Sequence, residues 1–422
     1  MKVFKFGGAS VNSAEAVRNM AQIVQSHLET EPLVVVVSAM GKTTNLLERL
    51  VPGASPDDEA TALRQQLADY HHKIATSLIP SGIGIAEKVD ALLCELDNRR
   101  AAMMPSAEAY NFNYDQVVSF GELLSTTIIA DYLNHLGINT LWVDARQLVR
   151  TDDHYREGRV DWEQTYVACQ RLKDDSMAHS VVLTQGFIGG TAGGHTTTLG
   201  REGSDYSASI LAHCLEAESM TIWKDVPGFL NADPKYFSNT VKINQIPYNE
   251  AIELAYYGAS VIHPKTVKPI QNKGIPLYIR SFITPQSEGS SIGNYHTISP
   301  ETPLYIFKND QILLSILPKD FSFIAEDNLQ IIFGLLNELG IRVNLMQNSA
   351  LSFSICVDNN PQRIGLLTER LKTLFHVRYN EKLQLITIRH YTQEVIDRIV
   401  AGRRILLEQR NRLTAQVLVP SI

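Results

Sequence analysis

Cysteine is scarce in this chain: four residues among 422, Cys94, Cys169, Cys214 and Cys356, lie far apart and form no CxxC pair. That spacing excludes a disulfide framework and a paired-cysteine zinc site. It predicts a reducing, cytoplasmic setting in which all four thiols are small buried hydrophobes. Long apolar runs are also missing, since no stretch approaches the roughly eighteen residues a membrane helix needs. Residues 1–10 alternate apolar and polar side chains and then turn on glycines, which predicts a strand and not a secretory signal. No long basic run occurs, and the net charge of −7 is spread over 38 basic and 45 acidic residues. Nucleic acid is therefore not an expected partner. What remains, 44% hydrophobic and 20% charged residues, is the balance of a soluble globular protein. A length of 422 residues implies two or three domains.

The stretch 180–230 organises the rest. Val181, Val182 and Leu183 begin an apolar strand, a glycine-rich loop runs over 186–194, and threonines lead to Thr198-Leu-Gly-Arg-Glu-Gly-Ser-Asp205. A helix opening on Ser204 and Asp205 carries Tyr206, Ile210, Leu211, Cys214 and Leu215 on one face. Its positive end and free N–H groups beside Arg201 make an anion site, with Arg201 and Asp205 expected to pair within one turn. A surface turn with a fortuitous salt bridge is the plainer alternative. The next strand ends in Trp223-Lys224-Asp225-Val226-Pro227-Gly228.

Lys5 ends a first strand beside Gly7-Gly8, where a lysine and a close-approaching backbone reach a phosphate. A strand over 33–37 is β-branched throughout, the pattern of a strand buried on both faces, and it ends in Ser38-Ala-Met-Gly41-Lys-Thr-Thr44. A P-loop is excluded there because Val36 stands where the pattern needs glycine. Ser38 and Thr44 read instead as hydroxyls at the carboxyl end of a strand, where open α/β sheets bind ligands. Residues 45–110 form a polar helical lobe, with His71-His72 as a solvated pair. Glu122 opens a helix that runs to 136; it suits the helix dipole and, if it lies in the ligand cleft, a substrate ammonium group. His263 before Pro264 reads as a cap or packing residue. Alternating strands and helices predict a mostly parallel open sheet with helices on both faces. Residues 286–294, rich in Ser and Gly, read as a linker. Beyond it, strands and helices from 311 to 388 follow the β-α-β-β-α-β order of a ferredoxin-like unit. A helix at 392–399 and strands at 404–408 and 415–419 form a shorter echo.

Taken together these motifs resemble the aspartate kinases of the amino acid kinase family, over nearly the whole chain. Lys5 to Ser10 resembles the family's KFGGTS, Phe120 to Ser125 its GERLS, Thr198 to Asp205 its TLGRGGSD, and Trp223 to Gly228 its WTDVPG. Asp233-Pro234-Lys235 and 257–264 are similar to its DPR and FGAKVLHP. The resemblance implies an amino acid kinase domain over 1–297 (helical lobe 45–115), an ACT-like domain over 304–390 and a partial second one over 391–422. It implies ATP-dependent phosphorylation of the L-aspartate side chain, with Lys5, Arg201 and Asp205 catalytic. Ser38, Thr44, Glu122 and Arg201 would bind aspartate. Lys5, Gly7, Gly8, Lys224, Asp225, Gly228, Lys235 and Ser260 would line the ATP path. Mg²⁺ accompanies ATP, with no dedicated metal site, and the attacking carboxylate needs no strong base. Departures are Glu202 for a glycine, Leu230 for a tyrosine, and Ser260 for a lysine whose charge Lys224 is expected to supply. Asn344, Met346, Gln347, Asn348 and Ser349 occupy the stretch where the resembling enzymes bind a feedback amino acid, with threonine feedback or none favoured over lysine. The ACT-like part implies a homodimer or higher assembly. An acetylglutamate or glutamate 5-kinase, or an amino-acid sensor with an inactive kinase fold, are the alternatives.

Overall fold

The computed structural model describes residues 1–80, 83–237, 239–259, 262–320 and 323–421. The chain divides into two compact units: Met1–Phe229 with Lys242–Ile252 and Val261–Pro300, and Leu230–Val241 with Glu253–Ser260 and Glu301–Ile422.

The first unit is built on an eight-stranded sheet. Its order is Gln245–Pro247, Ser290–Gly293, Leu277–Ser281, Ser219–Lys224, Lys2–Phe6, Leu33–Val37, Val181–Gln185 and Thr140–Val143. Every neighbouring pair is parallel except Leu277–Ser281 with Ser290–Gly293. The run Leu33–Val37 is buried at every position because strands flank it on both sides and helices pack on it, the environment a β-branched run demands. Phe6 stacks on Trp223 with ring centroids 6.1 Å apart, which anchors the two central strands where the site begins. Helices Phe120–His135 and Gly203–Cys214 pack on this sheet.

Four expectations need correction here. The stretch 186–194 is not a loop throughout: Ile188–Thr191 is a strand, paired antiparallel with Thr196–Thr198 and in parallel with Arg150–Thr151; the threonine run supplies the β-branched residues a strand prefers. Residues 286–294 are not a linker, since Ser290–Gly293 is a strand of the main sheet. His71 is fully buried, its Nδ1 donating to the Leu67 carbonyl oxygen at 2.8 Å, while His72 pairs with Asp90 at the surface. Neighbours on a helix point apart, so one faces the core and the other water. Cys94 is exposed, whereas Cys169, Cys214 and Cys356 are buried.

The second unit carries a six-stranded sheet in the order Val343–Asn348, Phe353–Asp358, Leu304–Pro318, Phe375–Arg389, Thr414–Pro420, Leu407–Arg410, antiparallel throughout. The strands expected at 377–379 and 383–388 are one strand, Phe375–Arg389, with register shifts in its pairing to Leu304–Pro318. It therefore serves two cores. Phe375 packs with Ile312, Ile332 and Leu367, while Ile386 and Ile388 pack with Ile396 and Val417. The ferredoxin-like unit and its shorter echo thus share a single sheet.

Candidate active site

A cavity of about 840 Å³ lies in the first unit, at the carboxyl ends of the central strands, and is lined by residues from seven separate stretches of chain. Lys5, Ser38 and Lys224 reach it from strand ends, Glu122 from the helix Phe120–His135, and Asp205 from the helix Gly203–Cys214. In an open parallel sheet this end gathers strand-to-helix turns and helix N-termini, so ligands collect there.

Close backbone approach builds the floor. A side chain at Gly8 would come within 2.8 Å of the Ala39 carbonyl oxygen, and one at Gly186 within 2.5 Å of Ser204. These glycines let the first turn and the helix Gly203–Cys214 close on the sheet. Glu202 caps that helix in a left-handed conformation, φ 54°. The reversal leaves Arg201 outside the helix on the cavity rim, so the expected Arg201–Asp205 pair does not form.

Asp205 pairs instead with two lysines. Lys5 Nζ lies 2.5 Å from Oδ1 and Lys224 Nζ 3.5 Å from Oδ2. Burial pushes the Asp205 carboxyl up, but the charges of Lys5 and Lys224 outweigh it and hold the group below the usual carboxylate range. Asp205 is accordingly anionic, and it keeps two cations together at the strand ends.

Glu122 behaves in the opposite way. It is 2% exposed, its Oε1 accepts from the Ala39 N–H at 3.2 Å, and its Oε2 has no hydrogen-bond partner. Burial raises its pKa to about 8, against the opposing influence of the Ala39 N–H and Lys5. A cationic group entering the cavity would find there a carboxyl ready to give up its proton.

Ser38, Thr44, Gly8 and Arg201 line the same cavity. Gly7 adjoins the Lys5 Nζ, which lies 3.4 Å from where its side chain would start. Asp225 is exposed, and Gly228, φ 141°, packs against Ser290. Lys235 is exposed in the second unit, and Ser260 lies outside the described residues. Asn344 is spent on structure, bonding Gln311, Asp358 and Lys308. Met346, Gln347, Asn348 and Ser349 are exposed along or just beyond the edge strand Val343–Asn348. Among the described residues no cluster of three or more His, Cys, Asp or Glu side chains is arranged to hold a metal, and no helix is long and apolar enough to cross a membrane.

Sequence reasoning missed Asp115, Tyr114 and Arg156. Asp115 is fully buried and accepts from the Thr198 N–H at 2.9 Å, the Thr198 hydroxyl at 2.7 Å and the Arg156 N–H at 2.8 Å. Its partners stand 41 and 83 residues away, so no local pattern marks it.

The chain matches the amino acid kinase family over residues 1–281. It is 31% identical to the lysine-sensitive aspartokinase 3 of Escherichia coli over 92% of this chain and 86% of that protein. It is 34% identical to the chloroplastic aspartokinase 1 of Arabidopsis thaliana over 84% of this chain but 63% of the longer plant protein. The crystal structure of E. coli aspartokinase III with aspartate and ADP superposes with a TM-score of 0.84 at 28% identity, covering 100% of this chain and 96% of that one. A second structure of that enzyme, with lysine and aspartate, gives 0.83 at 28% identity and the same coverage. With a parallel sheet that gathers Lys5, Glu122, Arg201 and Asp205 at one end, and relatives this similar over most of their length, the chain belongs to the amino acid kinase family, among its aspartokinases.

Proposed function

We propose that this chain transfers the γ-phosphoryl group of ATP to the side-chain carboxylate of L-aspartate, giving 4-phospho-L-aspartate and ADP, the step that commits aspartate to lysine, threonine and methionine synthesis. The observation that carries the reading is the pairing of Lys5 and Lys224 on Asp205, in a cavity that also holds Arg201 and the protonatable Glu122.

A side-chain carboxylate oxygen attacks the γ-phosphorus as the bond to the β-phosphate oxygen breaks, and ADP leaves. The attacking group is already anionic, so the demand is for positioning and for cations around charge spread over the phosphoryl oxygens. Lys5 meets the transferring group, and Asp205 fixes Lys5 and Lys224 in place. Arg201 binds aspartate at its α-carboxylate or at its reacting end, Ser38 and Thr44 donate from their hydroxyls, and Glu122 takes the ammonium group. Gly7, Gly8, Lys224, Asp225 and Gly228 mark the nucleotide path. Mg²⁺ fits this setting because it is held mainly by phosphates and waters with one or two carboxylates; Asp205 and Glu202 line the cavity and would supply them. Bound there, it would neutralise phosphate charge.

The domain limits we assign are 1–297 for the kinase, 304–390 for a first ACT-like domain and 391–422 for a partial second. The exposed edge strand Val343–Asn348 leaves backbone groups open to a second copy or a feedback amino acid. The amide of Asn344 offers no acid for the ε-ammonium of lysine, which favours threonine.

ADP release coupled to a reporter, with L-aspartate, L-glutamate and N-acetylglutamate as acceptors, tests the reading. Turnover restricted to aspartate upholds it; turnover with either alternative reassigns the acceptor, and none at all leaves an amino-acid sensor.

A further inference from the structure

We propose that the first unit holds a second binding site, for a phosphate monoester carried on a planar ring, in a cavity separate from the one that gathers Lys5 and Asp205. Such a site lies outside the functional reading above, and its occupancy can be measured without turnover.

The second cavity has a volume of about 730 Å³, room for a ligand the size of a nucleoside monophosphate. Two packed helices form its floor. Along Pro264–Lys273, Lys265, Lys268 and Asn272 recur at intervals of three and four residues and so share one face. Along Gly203–Cys214, Tyr206 and His213 stand seven residues apart and share another. The stretch from His154 to Trp162 closes the remaining side. His154 and Glu157 line both cavities, so this segment divides them.

The charge of the second cavity is one-sided. Arg159, Lys265 and Lys268 face a single acid, Glu157, in a chain whose net charge is −7. Among the described residues none of these three cationic groups forms an ion pair or a side-chain hydrogen bond. Lys265 and Lys268 lie one turn apart, where like charges repel, and Lys265 stands in the first turn of its helix, whose positive end adds to theirs. A dianion between the lysines relieves that repulsion, and Arg159 adds a planar fork suited to phosphate oxygens.

The rest of the lining is aromatic, which a bare anion does not require. Trp162 is 40% exposed, and its helix start is fixed by the Asp161 side chain, which accepts the Gln164 N–H at 3.0 Å. The indole meets the His213 ring edge to face, with centroids 5.3 Å apart, and His213 Nδ1 donates to the Pro269 carbonyl oxygen at 2.8 Å. Trp162 is thereby held in place with part of its ring open to solvent. A planar ring stacked there would cover that apolar surface.

Trp162 also supplies the probe, because Trp223 is fully buried and Trp142 donates to Thr126 outside this cavity. AMP titrated into the full-length protein should quench tryptophan fluorescence to saturation, and Trp162→Phe should remove the quench. In Lys265→Ala/Lys268→Ala the Kd read from that quench should be about tenfold or more weaker, with the thermal midpoint unchanged or higher because the repulsion is gone. Where wild-type protein phosphorylates aspartate, the kcat of this variant should stay within about twofold of wild type. Adenosine and inorganic phosphate each carry half of the ligand and should bind about tenfold or more weaker than AMP. Phosphate binding as tightly as AMP overturns the ring, and adenosine doing so overturns the anion. A quench absent from wild type, or one that survives loss of both lysines, overturns the site.

Discussion

Lys5 Nζ and Asp205 Oδ1 stand 2.5 Å apart although their residues are separated by two hundred positions, and both are nearly buried. Breaking a buried pair strands a charge, which costs about 3–5 kcal/mol. Asp205→Ala should therefore lower stability by about 3 kcal/mol in chemical denaturation and reduce kcat by about 10²-fold or more. Lys5→Ala should reduce kcat at least as much, with KM for aspartate little changed. A variant at either position that keeps wild-type kcat would remove the pair from the reaction.

Lys224 holds the other oxygen of Asp205 from the end of its strand. If it supplies the positive charge expected at Ser260, Lys224→Ala should raise KM for ATP about tenfold, or roughly 1.4 kcal/mol, and leave KM for aspartate near wild type. Unchanged ATP kinetics would show that its charge serves only Asp205.

The raised acids Glu122, at about 8, and Asp115, at about 6, predict how stability depends on pH. Burial is the main cause for both; hydrogen bonds to Ala39 oppose it at Glu122, and those to Arg156 and Thr198 at Asp115. A folded-state pKa above the unfolded value means the native protein holds the proton more tightly. Its contribution is complete below the unfolded pKa and is lost as pH rises through the folded one. The thermal midpoint should thus fall between pH 4.5 and about 8, the interval from the ordinary value of Glu122 to its folded one. Glu122→Gln should flatten that slope, recover stability on the order of a few kcal/mol near pH 9, and weaken aspartate binding. A slope identical to wild type would place the Glu122 titration elsewhere.

Asp115→Ala leaves the Thr198 and Arg156 N–H groups without their acceptor, at about 1–3 kcal/mol each. The melting temperature should drop and KM for aspartate should rise. In a double-mutant cycle with Arg156→Gly the two effects on stability should fall short of additive, because Asp115 accepts the Arg156 N–H and the two act through one loop. Additive effects would separate Asp115 from Arg156.

The edge strand Val343–Asn348 exposes Met346, and Met346→Lys places a charge where a second copy would pair. Sedimentation should show a smaller assembly for the variant if that edge carries the dimer; an unchanged mass would move the interface.

What the sequence determined by itself is everything that depends on near neighbours. The buried strand Leu33–Val37, the helices opening at Phe120 and Gly203, and the glycine turns beside Lys5 and Arg201 follow from periodicity, side-chain branching and permitted backbone angles, all of which act over a few residues. The motif order carried the family, and with it Lys5, Glu122, Arg201 and Asp205. Local pattern also misled, as at 286–294, where serine and glycine read as a linker although Ser290–Gly293 is held in the main sheet by its neighbours. Only the tertiary structure decided that Asp205 pairs with Lys5 and Lys224 and not with Arg201, that burial raises the Glu122 pKa, and that Asp115 accepts from Arg156 and Thr198, both of which line the same cavity. Those outcomes depend on burial and on charges brought together from distant parts of the chain, and neither is defined until the sheet has closed.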